Sequence, residues 1–273
     1  MKVNQNSVVT QEEFIKRYRH QKKLVIFYRI LILAAFFALW EGATRIDLID
    51  AFIFSSPVRL LQAFIQLIPG GAIFMHIGIT LLETFISFLL VLALGLLVAV
   101  ILWWNSSISK VLEPYLIALN SLPKSALAPI LIVWLGNNMK TIIVCAIMLA
   151  VFGTIINLYT DFITTDSDKI LLVKTLGGKK MDVLFKVVLP QNFPSLISSM
   201  KVNIGLCLVG VIIGEFLAAN AGLGYLIIYG SQVFKLDWVM MSIVILCIIA
   251  TLLYTIVNFF EKKCSNTEQC PRK

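Results

Sequence analysis

Residues 172–190 read LVKTLGGKKMDVLFKVVLP. Four lysines, one aspartate and a Gly-Gly pair stand there between two strongly apolar regions. Asp166, Ser167 and Asp168 precede the stretch, and Ser167 or Asp168 is placed to cap a helix over residues 169–176. Gly177 and Gly178 end or bend that helix, because glycine takes the left-handed backbone of a helix stop without penalty. A second short helix is expected over residues 180–188, with Pro190 as its stop. Met181, Leu184, Phe185 and Val188 recur in it at helical spacing, while Lys180, Asp182 and Lys186 are polar. The interval reads as two short amphipathic helices joined at a glycine bend, held just under a membrane.

The membrane follows from what surrounds the stretch. The chain has 273 residues, 59% hydrophobic and only 14% charged, too few polar groups to cover a water-soluble surface. Apolar runs fall at about 24–44, 76–104, 113–135, 139–160, 194–219 and 238–260, six candidate spans. The second is long for a bilayer and is expected to tilt or protrude. The third contains Pro123 and Pro129, breaks that a span tolerates where neighbouring helices satisfy the freed backbone groups. The first apolar run follows a long charged segment, so it is expected to be a retained span and not a cleaved signal. This gives a basic segment over 1–23, one membrane domain over 24–260 containing the polar loop at 161–193, and a tail over 261–273. The segment QEEFIKRYRHQKK is expected to lie as a short helix on the membrane surface.

Lysine and arginine set the orientation. With the N-terminus inside, segments 1–29, 105–112, 161–193 and 261–273 hold seventeen of the 23 basic residues, and the outer loops hold four. Both termini are therefore expected in the cytoplasm, and the opening stretch lies in the largest internal cytoplasmic loop. The net charge of +8 is then a consequence of topology, and no nucleic-acid partner is expected. Cys145, Cys207 and Cys247 sit in apolar runs as small hydrophobes, and Cys264 and Cys270 lack zinc spacing, so no metal is expected. No catalytic constellation emerges from the titratable residues.

Three readings of the loop stand side by side. It can lie on the lipid surface with its lysines near anionic head groups. It can be a docking surface for a soluble partner. A phosphate-binding loop is excluded, because Val173 stands where the first glycine of that motif is required. Any ATP site must be on another polypeptide.

Thr175-Leu176-Gly177-Gly178, with Leu189-Pro190 further on, resembles the cytoplasmic "EAA" loop of ABC importer permeases, most closely the nitrate/sulfonate/taurine-type subfamily. Ser56-Pro57 with Leu61 resembles the segment after that subfamily's first span. Leu122-Pro123, Ala126-Leu127, Pro129 and Ile132-Val133-Trp134-Leu135-Gly136 resemble its third-span signature. Pro190 and Pro194 resemble the loop exit, and Gly214-Glu215 with Gly222-Leu223-Gly224 resembles the end of the fifth span. There are departures. Leu171-Leu172-Val173 stand where the family often has Glu-Ala-Ala, and Glu83 and Ser87 where it often has arginine and then glycine.

The resemblance implies an all-α membrane protein of the type I importer permease fold, with about six transmembrane helices and a cytoplasmic coupling helix, in a bacterial inner membrane. It implies two copies forming the pore, two ATPase subunits below, and an extracytoplasmic substrate-binding protein above. The chain itself then binds no cofactor, and ATP and Mg are used by the partner. Lys174, Gly177, Gly178, Met181, Leu184, Phe185 and Pro190 are the implied ATPase-coupling residues. Met181, Leu184 and Phe185 would fill a groove or anchor the loop to the membrane domain.

Ionisable groups inside spans invite a transport reading. Glu83, Lys124 and Glu215 are candidate pathway or gating residues. Glu83 can face the pathway or pair with Lys124 or Lys201, and Lys201 can snorkel. Glu215 can brace the pore entrance or make a helix-end hydrogen bond. His76 is expected at the interface, and Trp40, Trp103, Trp104, Trp134 and Trp238 as an anchoring belt. Gly205, Gly210 and Gly214 suggest close helix approach, within the subunit or at a dimer seam. The rival to an ATP-driven importer is an ion-coupled secondary transporter, with Glu83 as its coupling carboxylate.

Overall fold

The structure is a computed structural model describing residues 11–268, and every regular element among them is helical. Residues 1–10 and 269–273 lie outside the described set, Cys270 among them, as do the side chains of 11–19, 260 and 263–268, which include Cys264. The expectations for Cys264 and Cys270, and for the ends of the basic segment and tail, therefore fall outside it. The chain divides into two compact units, residues 1–62 and 63–273, where one body is expected from the sequence.

The first unit carries α1 (Gln11–Arg45), α2 (Ala51–Phe54) and the start of α3 (Pro57–Leu67). No glycine or proline interrupts α1 before Gly42, so the basic segment and the first apolar run form one helix across the boundary expected at residue 23. Between His20 and Arg45 only Thr44 is buried, and the apolar side chains present a surface suited to lipid. Asp50 caps α2 by accepting from the Phe52 N–H at 2.8 Å. Glu41 holds Arg45 at 2.8 Å and accepts from the Val58 N–H at 3.3 Å.

The second unit contains α4 (Ala72–Trp104), α5 (Ser106–Ser121), a 3-10 turn at Lys124–Leu127, α6 (Ala128–Leu135) and α7 (Met139–Ile163). The loop region follows as α8 (Ser167–Thr175), α9 (Lys180–Val183) and a π turn at Leu184–Val188. The chain ends with α10 (Leu189–Ala218), α11 (Leu223–Gln232) and α12 (Leu236–Glu268). Five helices are long and apolar enough to cross a bilayer, or six if the bent pair α5–α6 is one span, in keeping with six expected spans. The pair bends by 84°. Leu122 is extended ahead of Pro123, as a residue before proline is pushed to be, and the helix breaks there. Asn105 and Asn138 cap α5 and α7 by accepting from N–H groups at 2.9 Å.

The core is built where α4, α7 and α10 pack on one another. It is made by small residues. A Cβ added at Gly210 would come 2.5 Å from Ala146 Cα, and one at Gly214 2.9 Å from Ile142 Cα, so both glycines let α10 approach α7 within the subunit. Gly205 meets nothing within 4 Å and makes no such contact, unlike the other two. Gly95 does the same for α4 against Thr154 of α7, at 2.7 Å. Phe88, Val91, Ala150, Ile204 and Cys207 fill the middle. α4 has 33 residues, about 50 Å at 1.5 Å per residue, so it outreaches a hydrocarbon core of about 30 Å.

Two expectations for the loop are corrected. The cap of α8 is Asp166, which accepts from the Asp168 N–H at 3.0 Å, because the helix begins at Ser167 and leaves Ser167 and Asp168 inside it. Pro190 does not stop the second helix. In a regular α-helix its ring would clash with the Lys186 carbonyl. The wider π turn before it, closed by the Leu189 N–H on the Leu184 carbonyl, relieves that clash, and α9 runs on into α10.

Candidate functional site

The loop is built as a rigid corner. Leu176 ends α8, Gly177 takes φ +81°, its N–H donates to the Lys174 carbonyl at 3.0 Å, and the Gly178 N–H donates to the Val173 carbonyl at 2.9 Å. That is a Schellman stop, and it needs the left-handed backbone at Gly177. Gly178 is required for a different reason: a Cβ there would lie 2.5 Å from the Val173 side chain. The next helix starts with the Asp182 carboxylate accepting from the Lys179 N–H at 2.9 Å and pairing with Lys186 at 2.9 Å.

The apolar loop residues split into two sets. Val183, Leu184 and Val188 are buried against Ala99 of α4 and Leu158 and Phe162 of α7. Leu184 is thus an anchor, 4% exposed, and not a tooth presented outward. Met181 at 53%, Phe185 at 59% and Leu176 at 79% exposed point away from that core. Lys174 and Pro190 are also exposed. Asn192 donates to Thr165 Oγ1 at 2.8 Å and Ser195 to Asp161 at 2.5 Å, so the same corner is fastened between α7 and α10. Lys180 escaped the sequence reading as a contact residue. Its ammonium lies 5.6 and 5.2 Å from the Trp103 and Trp104 ring centres and donates to the Trp104 carbonyl.

A second polar assembly sits at the far end of α4. Glu215 of α10 accepts from the Thr80 hydroxyl at 2.7 Å and from the Gly224 N–H at 2.5 Å. The Leu223 N–H donates to Thr80 Oγ1 at 2.9 Å, and the Gly222 N–H to His76 Nδ1 at 2.9 Å. These are the first N–H groups of α11, which lack intrahelical partners, and a carboxylate at a helix start is favoured by the helix dipole. Gly222 has φ +120°, and a Cβ there would collide with the Glu215 carboxylate. The helix-end reading of Glu215 fits this geometry. His76 is buried as an acceptor and stacks on Tyr225 at 6.0 Å, where an interfacial position is expected from the sequence, because it caps the same turn.

The expected pairing of Glu83 with Lys124 or Lys201 is not found. Glu83, 2% exposed, lies against the Glu215 carboxyl. Its Oε2 and the Ser87 hydroxyl have no hydrogen-bond partner among the described residues. Lys124 sits at the 84° break, where its ammonium donates to Asn120 Oδ1 at 2.9 Å and to the Leu149 carbonyl at 3.1 Å. It fastens the broken span to α7. Lys201 does not snorkel freely but pairs with Glu261. The candidate gating residues thus separate, with Glu83 and Glu215 together and Lys124 elsewhere. Thr80 was missed, although His76, Thr80, Glu83, Thr84 and Ser87 form a polar stripe at helical spacing within an apolar helix. Among the described residues, no cluster of His, Cys, Asp or Glu is arranged to hold a metal.

Residues 91–263 match the family described as binding-protein-dependent transport system inner membrane component. The chain is 24% identical to the putative aliphatic sulfonates transport permease protein SsuC of Bacillus subtilis, over 93% of this chain and 92% of that one. It is 28% identical to the formylaminopyrimidine transport permease protein ThiX of Halalkalibacterium halodurans, over 68% of this chain and 74% of that one. A chain of the inward-facing methionine ABC transporter MetNI shares the fold, with a TM-score of 0.59 at 20% identity, covering 68% of this chain and 92% of that one. The two glycine turns, the loop anchored under α4 and α7, and the helix content all lie within or beside the matched span, and the chain belongs to the family of binding-protein-dependent transport inner membrane components, the permeases of ABC importers.

Proposed function

We propose that the chain carries a small polar solute or anion inward, as one of two identical permease copies driven by a separate ABC ATPase. The solute is of the nitrate, sulfonate or taurine kind or a vitamin precursor, and the named sulfonate and formylaminopyrimidine relatives support that range. A substrate-binding protein delivers it at the outer face. ATP and Mg act on the ATPase, and this chain binds neither. Both termini lie in the cytoplasm of a cell whose inner membrane holds the complex. Lys174, Gly177, Gly178, Met181, Leu184, Phe185 and Pro190 form the ATPase-coupling loop, and Glu83, Lys124 and Glu215 are the gating candidates.

One observation carries this reading. The loop exposes Leu176, Met181 and Phe185 while Val183, Leu184 and Val188 clamp it to the inner ends of α4 and α7. An apolar tip on a rigid mount can transmit a rigid-body movement, which a floppy loop cannot. ATP-driven closure of the partner would push the tip and tilt the helices, exposing the pathway to each side in turn.

The test is purification of the tagged chain from mild detergent beside the double variant Met181→Ala/Phe185→Ala. The expected result is a P-loop ATPase that accompanies the unaltered chain and is lost from the variant. Absence of any ATPase after crosslinking would overturn the reading. The ion-coupled alternative makes a separate demand on Glu83. Under the ATP-driven reading, Glu83→Gln leaves uptake within about twofold, since an amide keeps the shape of the carboxyl and can donate to Glu215.

A further inference from the structure

We propose that Lys180 is a positioning residue, a latch that ties the coupling loop to α4 so that loop movement reaches the outer turn at Gly222–Gly224. The inference rests on the ATP-driven reading above, and it concerns a residue that the coupling motif does not include.

Lys180 stands at the first position of a helix, where a cation opposes the helix dipole and an acidic residue is preferred. Its charge is answered by another helix. The ammonium donates to the carbonyl of Trp104, the last residue of α4, at the negative end of a 33-residue dipole whose final carbonyls lack intrahelical partners. It also lies near both indole faces, 5.6 Å from the centre of Trp103 and 5.2 Å from that of Trp104. Trp103 in turn packs on the cluster holding Val183, Leu184 and Val188. The ammonium thus bonds α9 to the end of α4, above an apolar contact of the same elements.

α4 runs unbroken from that latch to the outer assembly. Thr80 lies 24 residues before Trp104, about 36 Å along the helix at 1.5 Å per residue. There Thr80 and His76 hold the Leu223 and Gly222 N–H groups, and Glu215 holds Gly224. No glycine of α4 breaks the rod between these ends, because Gly95 is packed against Thr154. A push on the loop is carried by α4 to the turn, and Lys180 adds to the apolar contact a polar tie that keeps the start of the loop helix in register with the end of α4.

The experiment uses the complex of this chain with its co-purified ATPase in nanodiscs. The chain carries Asn220→Cys, an exposed position beside the outer turn, and Cys247→Ser, Cys264→Ser and Cys270→Ser. The rate of labelling by a polar thiol reagent is compared without nucleotide and with ATP trapped by vanadate. The expected result is a rate ratio different from one with Lys180. In Lys180→Met, which keeps the stem and loses the charge, that ratio collapses toward one by about three- to tenfold. Lys180→Arg retains it, and the ATPase accompanies all three. Trp104→Leu removes one ring face and keeps the carbonyl acceptor, so it brings a smaller loss, and adding it to Lys180→Met brings no further change, as expected of one interaction. An unchanged ratio in Lys180→Met overturns the latch. Loss of the ATPase from Lys180→Met also overturns it, since Lys180 would then be a partner contact. A ratio of one in the Lys180 chain with ATPase bound overturns the latch alone, and absence of ATPase from that chain overturns it together with the functional reading.

Discussion

Glu215 shows what one buried carboxyl does for a membrane helix start. It satisfies the Gly224 N–H and receives the Thr80 hydroxyl, which itself receives the Leu223 N–H. Glu215→Ala takes the acceptor from the Gly224 N–H, while Thr80 keeps the His76 carbonyl, at a cost of about 1–3 kcal/mol for a buried polar group left unpaired. The expected result is a lower melting midpoint of the detergent-purified chain, with Glu215→Gln between Ala and the unaltered protein; equal midpoints for all three would contradict the brace. Leu184 and Phe185 are neighbours in sequence with opposite burial, 4% and 59% exposed. Leu184→Ala should destabilise the chain by about 2–5 kcal/mol, as a cavity in a packed core does. Phe185→Ala should leave the melting midpoint unchanged and act only on ATPase recovery. Stability loss in both, or neither, would show that the loop is not mounted as described.

At the scale of elements, the packing of α7 on α10 depends on two glycines. Gly210→Leu forces a side chain into the Ala146 backbone and should cost about 1–3 kcal/mol or more, read as reduced folded yield and a lower midpoint. Gly205→Leu faces open space within the chain and should be tolerated by the isolated subunit. The sequence pattern could not separate these glycines, because their spacing states that helices approach but not which face each occupies. It did place the spans and the glycine corner, since apolar length and the Gly-Gly pair are local signals. The continuation of α9 into α10 was not legible. Pro190 is locally a stop, and only the π turn just before it reverses that. The partners of Glu83 were also hidden. Charge arithmetic favours a lysine, yet the fold brings Glu215 beside it and commits Lys124 and Lys201 elsewhere.

For the whole molecule, charge bias predicts the direction of insertion. Under the proposed orientation the coupling loop is on the cytoplasmic side, and the Gly222 turn outside. In intact cells, an impermeant thiol reagent should modify Lys235→Cys and leave Lys110→Cys untouched, in a chain otherwise free of reactive cysteine. The reverse pattern would invert the topology and remove the coupling loop from its partner. The central claim, that an exposed apolar tip on a rigid mount engages an ATPase, is tested most directly by photocrosslinking in native membranes. A photoreactive amino acid is placed at Phe185 in one chain and at Leu184 in another. The account predicts a crosslink to a P-loop ATPase from position 185 and a crosslink within the chain from position 184. A position 185 that reaches only lipid, or a position 184 that reaches the ATPase, would contradict it.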